Sequence, residues 1–345
     1  MKKKTLIQTL KVLFFLGIGI FSIWWFLHIL NPEEKKEILN AFARAKYQWL
    51  FASMLVGLIA HYIRALRWNM LIIPLGYHPK IKDTFAAVAI GYIGNFIIPR
   101  FGEIARCYSL RKTSNVPFTA AFGTVIVERI IDMLVFILLF IVGLYFFLSQ
   151  LTDYAGGFLS KFLTGFSSDK IWILVLIASI GFIVLLFMYL FRKTLGNKKG
   201  IGKVYQLFSK FKEGLLSLTR IKHWPLFIFY TLFIWVCYIS MTWLCFLAIE
   251  ETAVLSLKAA FASVTFGTVG IIVVQGGIGV YPAIVSEVLA LFGTTLPVGY
   301  AMGWLTWISQ TVLLILMGLW AVAYLVFIKG IKLNEIRKSQ KENPD

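Results

Sequence analysis

The chain has 345 residues, 59% of them hydrophobic and only 14% charged, with a mean hydropathy of +0.81. A water-soluble fold of that composition would lack the polar residues to cover its surface, so the bilayer is its solvent and a single membrane domain is expected. The net charge of +18 sits in clusters between apolar runs rather than in a stripe interleaved with aromatics, which excludes nucleic acid as a partner. Cys107, Cys237 and Cys245 form no CxxC pair, and His28, His61, His78 and His223 lie far apart, so neither a metal nor a disulfide framework nor any cofactor is expected.

In chain order, Met1 and three lysines precede an apolar run at 12–30. No small-x-small cleavage site precedes Asn31-Pro32, so this run reads as a retained transmembrane helix rather than a signal sequence. Further spans are predicted at 49–73, 117–148, 171–191, 224–249 and 298–328, each meeting the requirement of roughly 20 residues. Two other regions, 84–112 and 255–292, are equally apolar but are interrupted near the middle by Gly, Pro or Gln.

With the N-terminus cytoplasmic, 26 of the 34 Lys and Arg fall on the cytoplasmic side, following the positive-inside rule. That count requires 84–112 to enter and leave from one side. Its return leg carries Arg100, Glu103, Arg106, Arg111 and Lys112, and charged or irregular backbone at membrane depth is tolerated only where protein or a water-filled cavity surrounds it. For 255–292 both legs are long enough to cross, and charge does not decide between a hairpin and two spans; symmetry favours the hairpin.

The expected fold class is therefore an all-α polytopic membrane protein. It has six full transmembrane helices plus two re-entrant or broken-helix hairpins in an inverted repeat. The first repeat is 1–149, an outer loop follows at 150–170, and the second repeat is 171–328. Within the second repeat, 192–223 alternates Lys with Leu, Phe and Ile, the pattern of an amphipathic segment on an anionic cytoplasmic leaflet. A basic cytoplasmic tail, 329–345, ends the chain.

The first interruption reads Gly91-Tyr-Ile-Gly-Asn-Phe-Ile-Ile-Pro-Arg-Phe-Gly-Glu-Ile-Ala-Arg106. Pro99 stops the descending helix, Gly102 permits a reversal, and the return helix opens near Glu103 with unpaired N–H groups that suit an anion. Arg100 and Arg106 could fork onto a lipid phosphate while Glu103 orients them or receives a cationic headgroup. Arg111 and Lys112 read as snorkelling anchors at the interface, as do Arg64 and Arg67 at the end of the second span.

The span at 117–148 carries Glu128, Arg129 and Asp132. These either pair with Arg100 or Arg106 across a cavity or hold one another in a structural cluster. The second interruption reads Gly267-Thr-Val-Gly-Ile-Ile-Val-Val-Gln-Gly-Gly-Ile-Gly-Val-Tyr-Pro282. Gly276, Gly277 and Gly279 allow a nest of backbone donors, with Gln275 adding an amide, or else they serve close helix packing as Gly299-xxx-Gly303 does. Glu287 in the return leg is either a proton site or an interfacial residue.

Through Pro99-Arg-Phe-Gly-Glu-Ile-Ala-Arg106, Glu128-Arg129-x-x-Asp132 and Gly276-Gly-Ile-Gly279, residues 10–328 resemble the transmembrane, flippase-like part of the lysylphosphatidylglycerol synthase/flippase family. The resemblance implies an inverted-repeat lipid flippase in the inner (plasma) membrane. It points to Arg100, Glu103, Arg106, Glu128, Arg129, Asp132 and the glycines at 276–279 as substrate-binding residues. The family's second motif opens with Pro and is followed by a charged pair ending in Glu; here Gln275 and Tyr281-Pro282 stand in those places, so this half of the site binds something different. Only 17 residues follow Ile328, so the soluble aminoacyl-transferase domain of the synthases is expected to be absent.

The expected function is transport of a phospholipid or related lipid headgroup through a polar intramembrane cavity, without a catalytic constellation. The alternatives are a polytopic enzyme acting on a lipid-linked substrate and a non-transporting partner of a synthase.

Overall fold

The computed structural model describes residues 17–97, 101–154, 221–328 and 330, and these are predominantly helical, with no strand among them. The predicted span at 171–191, the segments 155–170 and 192–220, and nearly all of the tail lie outside the described residues. The first helix, α1, is Gly17–Ile29. The next, α2 (Pro32–Arg44), falls where no helix is expected from hydropathy, because its polar face dominates. Its start is nonetheless written locally: Asn31 Oδ1 accepts the Glu34 N–H at 2.8 Å, Glu34 returns the bond to the Asn31 N–H, and Pro32 occupies the first turn.

The long helix α3 (Tyr47–Ile72) runs into a tight turn at Ile73–Leu75, closed by Gly76 at φ 87°. Helices α4 (Ile81–Ile97) and α5 (Phe101–Ser114) form the first hairpin, and α6 (Phe118–Tyr154) follows, continuing beyond the predicted end at 148. In the second half, α7 (Trp224–Phe246) and a single turn at Glu250–Ala253 lead to α8 (Leu257–Val273), α9 (Val280–Ala290) and α10 (Leu296–Ala323), the last extended by a π-type turn at Tyr324–Ile328.

Four of these helices, α3, α6, α7 and α10, are long and apolar enough to cross a bilayer. The legs of the second hairpin are not. At ~1.5 Å per residue, α9 is about 16 Å long and α8 about 25 Å, so the expectation that both legs of 255–292 could cross is corrected at α9, which is well short of a roughly 20-residue span. The apolar run overstates them because hydropathy continues through residues 274–279. There Gly276, Gly277 and Gly279 take φ values of 73°, 69° and 73° and end the helix.

The two halves repeat one packing scheme. Helices α3 and α7 lie together in reversed chain order: Ser53 meets Met241, Arg64 meets Tyr238 and Arg67 meets Thr231. Each hairpin's first leg then packs, also reversed, on the last span of the other half. Asp83, Phe85 and Ile93 of α4 meet Tyr324, Trp320 and Gly318 of α10, while Phe261, Thr265 and Phe266 of α8 meet Phe147, Gly143 and Phe140 of α6. Reversed pairing of equivalent helices is the arrangement that an inverted repeat produces. The second hairpin is seated by glycine: a Cβ on Gly303 would lie 2.6 Å from the Cα of Pro282, and one on Gly299 would lie 3.0 Å from that of Ser286.

Candidate functional site

Helix α3 presents Arg64 and Arg67 one turn apart, and α6 presents Glu128 and Asp132 at the matching i, i+4 spacing. The two pairs interlock. Arg64 Nη1 lies 2.9 Å from Asp132 Oδ2 and 3.2 Å from Glu128 Oε1, and Arg67 Nη2 lies 2.7 Å from Asp132 Oδ1 and 3.4 Å from Glu128 Oε1. From the first hairpin, Arg106 Nη2 reaches Glu128 Oε2 at 2.7 Å, and its guanidinium lies 3.8 Å above the Trp68 ring. Arg64 also donates to the Tyr238 hydroxyl and Arg67 to Thr231 Oγ1, so α7 joins the cluster.

Three guanidinium groups therefore face two carboxylates, leaving a formal charge of +1 in an apolar bundle. Arg67 and Glu128 are fully buried, and Arg64 and Arg106 nearly so. The Nε atoms of all three arginines have no hydrogen-bond partner. Taking such groups out of water costs several kcal/mol per ion, and only close, multiply bonded partners offset it.

Arg64 and Arg67 are thus not snorkelling anchors, and that expectation is corrected: their side chains turn inward because two carboxylates of α6 await them. Arg111 and Lys112 are exposed at the end of α5.

Arg129, next to Glu128 but on another face of α6, pairs with Glu103 of the hairpin's second leg, Nη2 to Oε1 at 3.4 Å, and the two side chains are 41% and 23% exposed. Asn95 of α4 donates to Glu103 Oε1 and accepts the Gly102 N–H at 2.8 Å, which caps the start of α5 with a side chain from the other leg. Gly102 serves close approach rather than reversal, since a Cβ there would collide with the Gly91 carbonyl. Arg129 Nε and Glu103 Oε2 remain unpartnered, and the pair is half open where the cluster within is buried. Arg100 lies outside the described residues.

The second interruption makes different contacts. The Gly276 carbonyl accepts the Trp307 indole N–H at 2.6 Å, the Gly277 N–H bonds Val274, and Gly279 abuts Gly19 and Ile23 of α1. Gln275 lies in the turn between α8 and α9, and Glu287 is exposed on α9. Among the described residues, no hydrogen bond or ion pair joins Gly276–Gly279 to the charged cluster. Nor does any group of three or more His, Cys, Asp or Glu stand where it could hold a metal ion.

The site unites five residues singled out by motif, Glu103, Arg106, Glu128, Arg129 and Asp132, with Arg64, Arg67, Trp68, Thr231 and Tyr238. A family model described as the lysylphosphatidylglycerol synthase TM region matches residues 9–318. The chain belongs to that family.

Among curated relatives, it is 29% identical over 131 residues to the UPF0104 membrane protein MJ1595 of Methanocaldococcus jannaschii, a match covering 36% of this chain and 39% of that protein. It is also 26% identical over 102 residues to glycosyltransferase AglD of Haloferax volcanii, covering 29% of this chain and 16% of that protein. The matches thus span well under half the length of either relative. No solved structure matches significantly. The chain is an integral, multi-pass membrane member of this family.

Proposed function

We propose that the protein moves a phospholipid or related lipid-linked headgroup between leaflets along the polar face of the first hairpin, with the acyl tails remaining in the bilayer. One observation carries this reading. A buried cluster of net positive charge is bordered, on the same helix, by the half-open Arg129–Glu103 pair. A headgroup phosphate could replace Glu103 on Arg129 while Glu103 takes a headgroup donor, so the exchange need not leave a bare charge in hydrocarbon. Gln275 and the glycines at 276–279 would serve the opposite side as neutral donors.

In this reading the protein resides in the plasma (inner) membrane with both termini cytoplasmic. Removing Arg64 and Arg67 from the basic-residue count leaves the cytoplasmic excess in place. The basic segment 192–223 would meet the anionic cytoplasmic leaflet, and a synthase is a fitting partner for supplying the lipid.

The test is leaflet exchange of fluorescent phospholipids in vesicles containing the purified protein. Exchange well above that of empty vesicles, with a several-fold loss in Glu103→Gln and Arg129→Gln, supports the proposal. Exchange no faster than in empty vesicles across anionic, zwitterionic and aminoacylated lipids defeats it.

The match to a protein named a glycosyltransferase favours a second reading, in which the chain acts on or presents a lipid-linked sugar. Sugar transfer by the purified protein to a polyisoprenoid phosphate would establish that reading in place of transport.

A further inference from the structure

Away from the charged cluster, on the other side of α3, a groove of about 570 Å³ opens between α3, α4 and α10. Leu58 and Ile59 of α3, Phe85 of α4, and Trp320 and Ile328 of α10 form apolar walls, and Lys82 stands at the rim. The floor is held by ring contacts: Phe85 lies 5.3 Å from Trp320, which stacks on Tyr324 at 5.5 Å, and Tyr62 closes the α3 side against Phe85.

Lys82 belongs to the first turn of α4 and Ile328 to the last turn of α10, so the mouth lies at one end of the bundle, at headgroup level. From there the groove runs along α3 as far as Leu58, near the middle of that apolar helix.

The charge at the rim is uncompensated. Asp83, next to Lys82 in sequence, is turned inward, where it accepts from the Tyr324 hydroxyl at 2.7 Å and from Ser114 at 2.9 Å. Lys82 is exposed and makes no ion pair among the described residues. An apolar slot of ligand size with one lysine among its described lining residues is complementary to one anionic amphiphile.

We propose that this groove is a binding site for one anionic phospholipid, with an acyl chain between α3 and α10 and its phosphate on Lys82. The site is separate from the transport path and stands whether or not the chain transports lipid. An occupant would brace α10 against α3 and α4, the three helices that also hold the first hairpin to the second half.

The test uses the full-length protein in detergent, titrated with phosphatidylglycerol or phosphatidylcholine and read by native mass spectrometry. One phosphatidylglycerol is expected to be retained in preference to phosphatidylcholine. Lys82→Gln is expected to weaken its retention about fivefold, as expected for one basic residue at a membrane surface. Ile59→Trp, which fills the groove, is expected to abolish retention of either lipid, whereas Lys80→Gln should leave it unchanged. Equal retention of the two lipids, or wild-type retention in both Lys82→Gln and Ile59→Trp, would overturn the proposal. So would occupation of the groove by a second copy of the chain, seen as a dimer that Ile59→Trp dissociates. Unchanged thermal unfolding of the variants separates loss of the site from loss of the fold.

Discussion

The two hairpins occupy equivalent places in the bundle yet are secured by opposite chemistry. Counted from the starts of α6 and α10, Glu128 corresponds to Thr306 and Asp132 to Gln310. Where the first half has five interlocked ionic groups, Cys245 and Ser309 of the second join Ser53 of α3 in a chain of weak polar contacts, and its glycines are set directly against backbone. The second half shows that neutral, close-packed contacts suffice to seat a hairpin in this geometry. The ions of the first half are then more than the architecture requires. Since buried ion clusters are frequently no more stabilising than apolar residues of similar volume, their presence points to the handling of charge.

The comparison is broken most severely by Glu128→Ala. It leaves Arg106, Arg64 and Arg67 without their shared carboxylate, and a loss of about 3–5 kcal/mol is expected, measured as a collapse of the folded fraction in detergent. The matching change, Thr306→Ala, removes only a hydroxyl that contacts the sulfurs of Met302 and Cys245, and a loss of about 1 kcal/mol or less is expected.

Next in size is Gly303→Ala. Among the described residues the second half has no buried ion pair to weaken, but a methyl facing Pro282 forces α9 away from α10, and destabilisation of about 1–3 kcal/mol is expected by thermal unfolding. Replacing Arg67 and Asp132 together by Leu converts part of the first half to the chemistry of the second. The double variant is expected to be more stable than either single one and to have lost lipid exchange, a combination that a purely structural network would not produce.

The smallest effect on stability is expected from Glu103→Gln. Its partner Arg129 is 41% exposed, so the change should cost within about 0.5 kcal/mol in a melting experiment. Lipid exchange should nonetheless fall; a variant with wild-type exchange would place the headgroup elsewhere.

Much of this was legible in the chain. Hydropathy located the four long helices to within a few residues, and Gly and Pro marked both interruptions. The motif around Glu103 and Arg106 and the Glu128/Asp132 spacing named half of the cluster. Arg64 and Arg67 were misread because a one-dimensional pattern places them near the end of an apolar run, where snorkelling and inward pairing look alike. The distinguishing signal was the complementarity of an i, i+3 arginine pair with an i, i+4 carboxylate pair on a distant span. Helix α2 carries no hydropathy signal although its capping box is complete, since its polar face dominates. Tyr238 and Thr231 had no signal at all: only the reversed packing of α7 on α3 brings them to the arginines.

The seat of α1 has a consequence for how the protein is made. Phe26 stacks on Tyr300 with centroids 3.9 Å apart, and Gly19 abuts Gly279, so part of the seat of α1 is made only once α9 and α10 have followed it in synthesis. Until then α1 waits in the bilayer with that face unfilled, and the contact closes after α10 has been inserted.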